Sequence, residues 1–459
     1  MCGIVGYIGK QAAIPILVNG LKKLEYRGYD SAGVAVLDPE GIMVSKSVGK
    51  LVALEEELGT DYSQSSIGIG HTRWATHGRP SYLNAHPHGD CGKDFVVVHN
   101  GIIENYLELK EMLIAKGHLF ASETDTEVLA HLVEDFYEGD LEGAVRKVLK
   151  TIHGSYALVV LSRKDPDKLV AARKDSPMVV GLGDGEFFVA SDITAILNYT
   201  RQVYILDDGE MVVITDEEVK VTDFEGTPHT KEVFDVKWDA VAAEKGGYDH
   251  FMLKEIHEQP RALKDTMLGR LEEEKVVLQE VDLTPEQLAQ INKVYIVACG
   301  TAWHAGLVGK TLIERWALLP VEVDIASEFR YRSPLVDEHT LVVVVSQSGE
   351  TADTLAALRE AKNRGARVVA VTNVVGSTVS REAHDVIYTW AGPEIAVAST
   401  KAYTTQLEGM VLLGLYLAQV KGTLSSEKIG GIISALKWIP AQVQEILDQE
   451  SLIKELANS

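Results

Sequence analysis

The chain has 459 residues, 46% of them hydrophobic and 24% charged, with a formal net charge of −23 at pH 7. That length suits about three units of ~150 residues or two larger ones, and the composition is that of a globular protein with real cores. The negative field repels phosphate backbones and anionic lipid, so nucleic acid and membrane surfaces are excluded as partners, and an anionic small substrate needs a local site that overrides it. The sequence opens Met1-Cys2-Gly3 without a basic leader or cleavage pattern. Its most apolar helical stretch, residues 410–420, is shorter than the ~20 residues a membrane span needs. Three cysteines, Cys2, Cys91 and Cys299, odd in number and far apart, argue against a disulfide framework and for the cytoplasm.

Taken in chain order, short β-type runs at 4–8, 34–37, 95–98 and 156–161 are separated by glycine turns such as 183–185 and 207–209. Helical patterns interrupt them near 12–24 and 126–137, and the acidic run 55–57 reads as a solvated helix face. The first ~240 residues are therefore expected to be α+β, with hairpins stacking as two antiparallel sheets. Residues 231–282 turn polar and helical. From Lys293, apolar strands at 294–297, 321–323, 341–345, 367–371 and 386–388 have helical stretches between several of them, the pattern of a parallel, doubly wound sheet. The tail from Ser425 reads as helical.

Two regions carry chemistry. A Cys2 freed of Met1 would own both a thiol nucleophile and an α-amino group whose reference pKa, ~7.7–8.0, suits a base at neutral pH. Alone, such a cysteine reads more readily as an accident of position or a small core residue. Four further segments change that balance: 25–33 with Arg27; 71–78 with Arg73, Trp74, Thr76 and His77; 99–105 with Asn100 and Gly101; and 122–127 with Asp125. The stretch 85–91, with His86, His88 and Cys91, reads as a loop rather than a metal site, because no second ligand pair stands near it at typical spacing. No metal and no cofactor are expected.

These segments resemble the N-terminal-nucleophile class of glutamine amidotransferase domains over the whole strand-rich half, which implies an αββα fold. The resemblance implies that Cys2 attacks the glutamine amide and that Asn100 and Gly101 form the oxyanion hole. It further implies that Arg73, with Trp74 and Thr76, holds the α-carboxylate, that Asp125 takes the α-ammonium, and that Arg27 and His77 border the pocket.

The second region is 341–351, a buried strand, a hydroxyl-rich turn with Ser346, Gln347 and Ser348, and a helix start at Thr351. Turn N–H groups and a helix N-terminus hold phosphate without a basic side chain, although a Ser/Thr-capped helix is also common for purely structural reasons. With the turn around Thr301 and the segment 391–402, which contains Val397 and Ser399, it resembles a sugar isomerase (SIS) domain, the fold that binds phosphosugars.

The two halves together resemble the glutamine–fructose-6-phosphate aminotransferase family, which uses glutamine nitrogen to convert fructose 6-phosphate into glucosamine 6-phosphate and passes ammonia through an internal channel. The resemblance implies a glutaminase domain over 1–240, a linker and lead-in helix over 241–282, a first SIS domain over 283–425, and a helical segment over 426–459. A second SIS domain is expected to begin where this sequence ends, and it carries the family's Schiff-base lysine, isomerisation glutamate and ring-opening histidine. Those residues are assigned to none here, Lys401 included. Ala302 stands where many relatives have serine. The expected partners are glutamine and fructose 6-phosphate, with dimerisation through the SIS domain. The alternatives are a glutaminase whose SIS module only binds phosphosugar, and a non-catalytic sugar-phosphate sensor.

Overall fold

The computed structural model describes residues 2–25, 28–59, 63–74, 78–236 and 247–458. Arg27, Thr76 and His77, all expected at the glutamine pocket, lie outside the described residues, as does part of the expected linker. The chain divides into two compact units, Met1–Val241 and Ala242–Ser459.

The first unit contains two antiparallel sheets. In the eight-stranded sheet, the strand Gly3–Ile8 is central, paired on one side with Phe187–Ala190 and on the other with Ile67–Arg73. Ser31–Asp38 continues the sheet beyond Ile67–Arg73. In the six-stranded sheet, Phe95–Ile103 pairs with Gly154–Ser162 and with the short edge strand His88–Gly89. The period of two sorts the side chains. Ile4, Ile8, Ile67 and Ile69 from one sheet pack with Val96, Val98, Val159 and Leu161 from the other. The outer face of the first sheet is covered by the amphipathic helix Ala13–Leu24 and by Leu51–Leu58. The outer face of the second is covered by Tyr106–Ala115, Glu127–Phe136 and Leu141–Thr151. The layers are therefore helix, sheet, sheet, helix. Two of these helices escaped the sequence reading. Leu141–Thr151 had a legible signal, since the Asp140 side chain accepts hydrogen bonds from Glu142 and Gly143 N–H as its N-cap.

The second unit is built on a five-stranded parallel sheet in the order Val321–Ile325, Lys293–Ala298, Thr340–Ser346, Arg367–Thr372, Asp385–Tyr388. Both faces are covered, as near-continuous apolar strands require. Ile296, Val343 and Val371 point to one core, and Val297, Val344 and Ala370 to the other. Residues 251–282 belong to this unit. The helix Phe251–Met267 is fastened to it by Thr266, whose hydroxyl donates to the Thr389 carbonyl. Further on, the Gln419 side-chain amide pairs with both backbone groups of Val276. Cys299 is half-buried, and His304 is exposed with its ring edge-on to Trp303.

Candidate active sites

Cys2 immediately precedes the central strand, so its position is set by pairing on both sides of the following residues. Its Sγ accepts a hydrogen bond from Trp74 N–H at 3.2 Å, at the end of the adjacent strand. Burial raises the thiol pKa above its ordinary value. A protonated thiol at neutral pH needs a base to become a nucleophile.

Asn100 and Gly101 lie inside the strand Phe95–Ile103 of the facing sheet. Asn100 Nδ2 donates to the Cys2 carbonyl at 3.0 Å, which brings the expected oxyanion donor to the nucleophile's own residue. Its Oδ1 is 2.9 Å from His71 Nε2, which also lies 3.1 Å from the His99 carbonyl. Both partners are acceptors, so Nε2 of His71 carries the proton. Burial lowers the His71 pKa to about 3, keeping the ring neutral. Gly101 has φ +129°, and a Cβ there would sit 2.0 Å from the Ser155 carbonyl oxygen. Only glycine allows this approach to the neighbouring strand.

Arg73 is buried at the end of its strand and donates through Nη2 to the Gly78 carbonyl at 3.0 Å. Trp74 is 40% exposed and meets Tyr29 edge-on. Asp125 is buried and accepts from Ile103 N–H at 2.8 Å, which ties it to the Asn100–Gly101 strand. Next to it, Thr126 Oγ1 bonds His99 Nδ1 at 2.9 Å and His86 Nε2 at 3.0 Å. His86 stacks on His71 with ring centroids 4.0 Å apart. These histidines and Thr126 form a supporting layer behind Asn100. The sequence reading missed the roles of His71, His99 and Thr126, although all three sit inside motifs it quoted.

In the second unit, the helix Gly300–Trp316 follows one strand and Ala352–Asn363 follows its neighbour in the sheet. Their N-termini therefore open at the same edge, where the strand order reverses, the usual ligand crevice of such sheets. Thr301 lies in the first turn of the first helix and is exposed. Ala302, beside it, packs into the core. Ser346 ends its strand, and its Oγ contacts Thr351 Oγ1 at 3.2 Å and accepts from Gly349 N–H at 3.1 Å. Glu350 N–H donates to Ser348 Oγ at 3.2 Å. Gly349 has φ +65°, and a Cβ would strike Ser377 Oγ at 2.1 Å.

Polar side chains that sequence reasoning overlooked hold this turn. Asn373 N–H donates to the Gln347 carbonyl, while its side-chain amide bonds Ala391 N–H and the Gly392 carbonyl, both at 2.8 Å. Gln347 is thereby linked to the loop carrying Val397 and Ser399. Val397 is 65% exposed, and Ser399 Oγ donates to Glu394 Oε2 at 3.0 Å. Glu394 also accepts from Thr400 and Ala402 N–H, capping the helix Lys401–Lys421. Lys401 is buried and paired with Glu258 at 2.6 Å. Its ammonium is held within that ion pair.

A cysteine-based site in an αββα unit, followed by a parallel sheet with a hydroxyl-lined crevice, defines a glutamine amidotransferase joined to a sugar isomerase domain. Family models agree: the glutamine amidotransferase domain matches residues 81–198 and the SIS domain matches 287–415. The chain is 59% identical over its full length to the glutamine–fructose-6-phosphate aminotransferases (isomerizing) of Clostridium tetani (strain Massachusetts / E88) and Caldanaerobacter subterraneus subsp. tengcongensis, covering 76% of each. A solved C-terminal domain of glucosamine-fructose-6-phosphate aminotransferase from Francisella tularensis matches 47% of this chain and 60% of its own, at 40% identity and TM-score 0.45. The chain belongs to the glutamine–fructose-6-phosphate aminotransferase family.

Proposed function

We propose that this chain transfers the amide nitrogen of glutamine to fructose 6-phosphate, giving glutamate and glucosamine 6-phosphate, with Cys2 as the nucleophile. The observation that carries the glutaminase half is the Asn100 amide at the Cys2 carbonyl, 3.0 Å away. In the proposed cycle, the α-amino group of a Met1-free Cys2 takes the thiol proton as Sγ attacks the side-chain carbonyl carbon of glutamine. The Asn100 amide and Gly101 N–H receive the developing oxyanion. The tetrahedral intermediate expels ammonia, which carries away a proton, and water then releases glutamate and restores the thiol. Arg73, with Trp74 and Thr76, is assigned to the α-carboxylate, Asp125 to the α-ammonium, and Arg27 and His77 to the border of the pocket. Fructose 6-phosphate is assigned to the crevice lined by Thr301, Ser346, Gln347, Ser348, Thr351, Val397 and Ser399, where two helix N-termini favour an anion.

The domain boundaries assigned from sequence, 1–240 and 283–425 with 241–282 between them, are part of the same reading. So is dimerisation through the SIS unit, supported by the exposed Trp438, Ile446, Leu452, Ile453 and Leu456 on its last helices. Among the described residues no helix is long and apolar enough to cross a membrane, and all three cysteines are free. A cytoplasmic location is part of the same reading.

The test uses untagged protein, amide-labelled glutamine and fructose 6-phosphate, following glutamate, ammonia and glucosamine 6-phosphate together. Labelled glucosamine 6-phosphate, lost in Cys2→Ala, supports the whole reading and would place the amine-transfer and isomerisation chemistry among the residues present, against the expectation that a second SIS domain supplies it. Glutamate and ammonia without amino sugar would reduce the function to glutamine hydrolysis. Unchanged glutamate release by Cys2→Ala would remove the nucleophile assignment.

A further inference from the structure

Cys91 stands beside two histidines in sequence, but the fold gives it different neighbours. It follows the edge strand His88–Gly89. His118 lies just beyond the helix Tyr106–Ala115, and His131 and Glu134 share a face of Glu127–Phe136 at i and i+3. Cys91 Sγ is 3.6 Å from His131 Nδ1 and 3.9 Å from His118 Nδ1. Glu134 Oε2 is 3.0 Å from His118 Nδ1 and 3.5 Å from His131 Nδ1. The four donor atoms all lie within 4.8 Å of one another. We propose that Cys91, His118, His131 and Glu134 form a tetrahedral Zn2+ site.

The spacings fit that ion. Bonds of ~2.3 Å to sulfur and ~2.0–2.1 Å to nitrogen or oxygen, at tetrahedral angles, set neighbouring donors roughly 3.3–3.6 Å apart. One thiolate, two imidazoles and one carboxylate suit a borderline-soft cation, whereas Ca2+ and Mg2+ require oxygen. The thiolate and the carboxylate together balance a charge of +2.

The surroundings fit as well. A metal-bound imidazole presents its other nitrogen to a carboxylate or carbonyl, which fixes the ring. Each ring turns its other nitrogen toward a carboxylate without reaching hydrogen-bond distance: His131 Nε2 is 3.8 Å from Glu127 Oε1, and His118 Nε2 is 3.9 Å from Asp135 Oδ1. His131 is 1% exposed, and its Nε2 makes no hydrogen bond. Leu119 N–H donates to Cys91 Sγ at 3.3 Å, stabilising negative charge on sulfur. A hydrogen-bonded His118–Glu134 pair alone explains Glu134, but not two imidazole nitrogens converging on one thiol. Four protein donors leave no open position, so the site is structural, joining a strand-edge loop, an inter-helix turn and the helix that begins after Asp125 and Thr126.

The test is metal binding by the full-length, untagged chain after chelator treatment. Titration with Zn2+ against a chromophoric chelator should give one equivalent per chain in the wild type and in Cys2→Ala. Cys91→Ser and Glu134→Gln should weaken affinity at least ~10-fold and Asp135→Asn about 10-fold, with unchanged circular dichroism. Co2+ in the Cys2→Ala chain should give strong visible bands with thiolate charge transfer, lost in Cys2→Ala/Cys91→Ser. Failure of wild-type protein to take up Zn2+, equal affinity in Cys91→Ser, or Co2+ spectra without a thiolate band overturns the site.

Discussion

His71 Nε2 lies 2.9 Å from Asn100 Oδ1, and this contact decides which way the Asn100 amide faces. Because His71 is neutral and donates through Nε2, Oδ1 must turn to it and Nδ2 must turn to Cys2. A residue that need not touch glutamine thus orients the proposed oxyanion donor.

Replacing His71 with Ala should therefore lower the glutaminase kcat by roughly 10–100-fold while KM changes little, since a misaimed oxyanion donor matters most in the transition state. Steady-state kinetics on glutamine separate the two parameters. A rise in KM with unchanged kcat would assign His71 to substrate binding instead.

Gly101→Ala places a methyl group 2.0 Å from the Ser155 carbonyl at a backbone angle that alanine disfavours. The Asn100–Gly101 stretch must then separate from the strand Gly154–Ser162. Thermal unfolding should fall by several degrees, and glutamate release should be lost with it. A variant with wild-type Tm and wild-type activity would show that the strand relaxes without cost.

Ser348→Trp should weaken fructose 6-phosphate binding by about ten-fold or more, through the lost hydroxyl and the blocked turn. Glutamine hydrolysis measured without sugar should be unaffected. Calorimetry reports the first and glutamate release the second. Unchanged sugar-phosphate affinity would move the site away from this turn.

Glu408 lies in the helix Lys401–Lys421, buried, with neither carboxylate oxygen hydrogen-bonded. Burial raises its pKa to about 8. The folded chain keeps a proton that the unfolded chain releases. Its contribution is therefore fully present below the ordinary carboxylate range and is lost as pH rises toward and through about 8. Glu408→Gln should raise Tm by several degrees at about pH 9 relative to the wild type and by much less at about pH 5. An equal difference at both pH values would mean that titration of Glu408 does not contribute.

The sequence exposed the parts of this molecule that depend on local pattern. The valine run at 341–345 announced a buried parallel strand, and the glycine and hydroxyl signals after it announced the turn. The strand at 4–8 and the motifs around Asn100 and Asp125 were equally visible. Residues joined only by folding were not. Glu394 and Asn373 look like ordinary loop residues until the loops 346–351 and 390–401 are set side by side. Cys91 and His131 are forty positions apart, beyond any ligand spacing that can be read along a chain. Ion pairs such as Lys401–Glu258 escape for the same reason.

The central place of the strand Gly3–Ile8 has a consequence for biosynthesis. Its strand partners are Ile67–Arg73 and Phe187–Ala190, so its pairing on both sides is complete only after residues much further along the chain have been made. Pairing across such a separation is slow and comes late in folding. A nascent chain that has not passed residue 190 cannot hold Cys2 between its two neighbours, and chains released at increasing lengths should become competent for glutamine hydrolysis only beyond that point. The thiol thus comes under the control of its site only when the sheet closes around it.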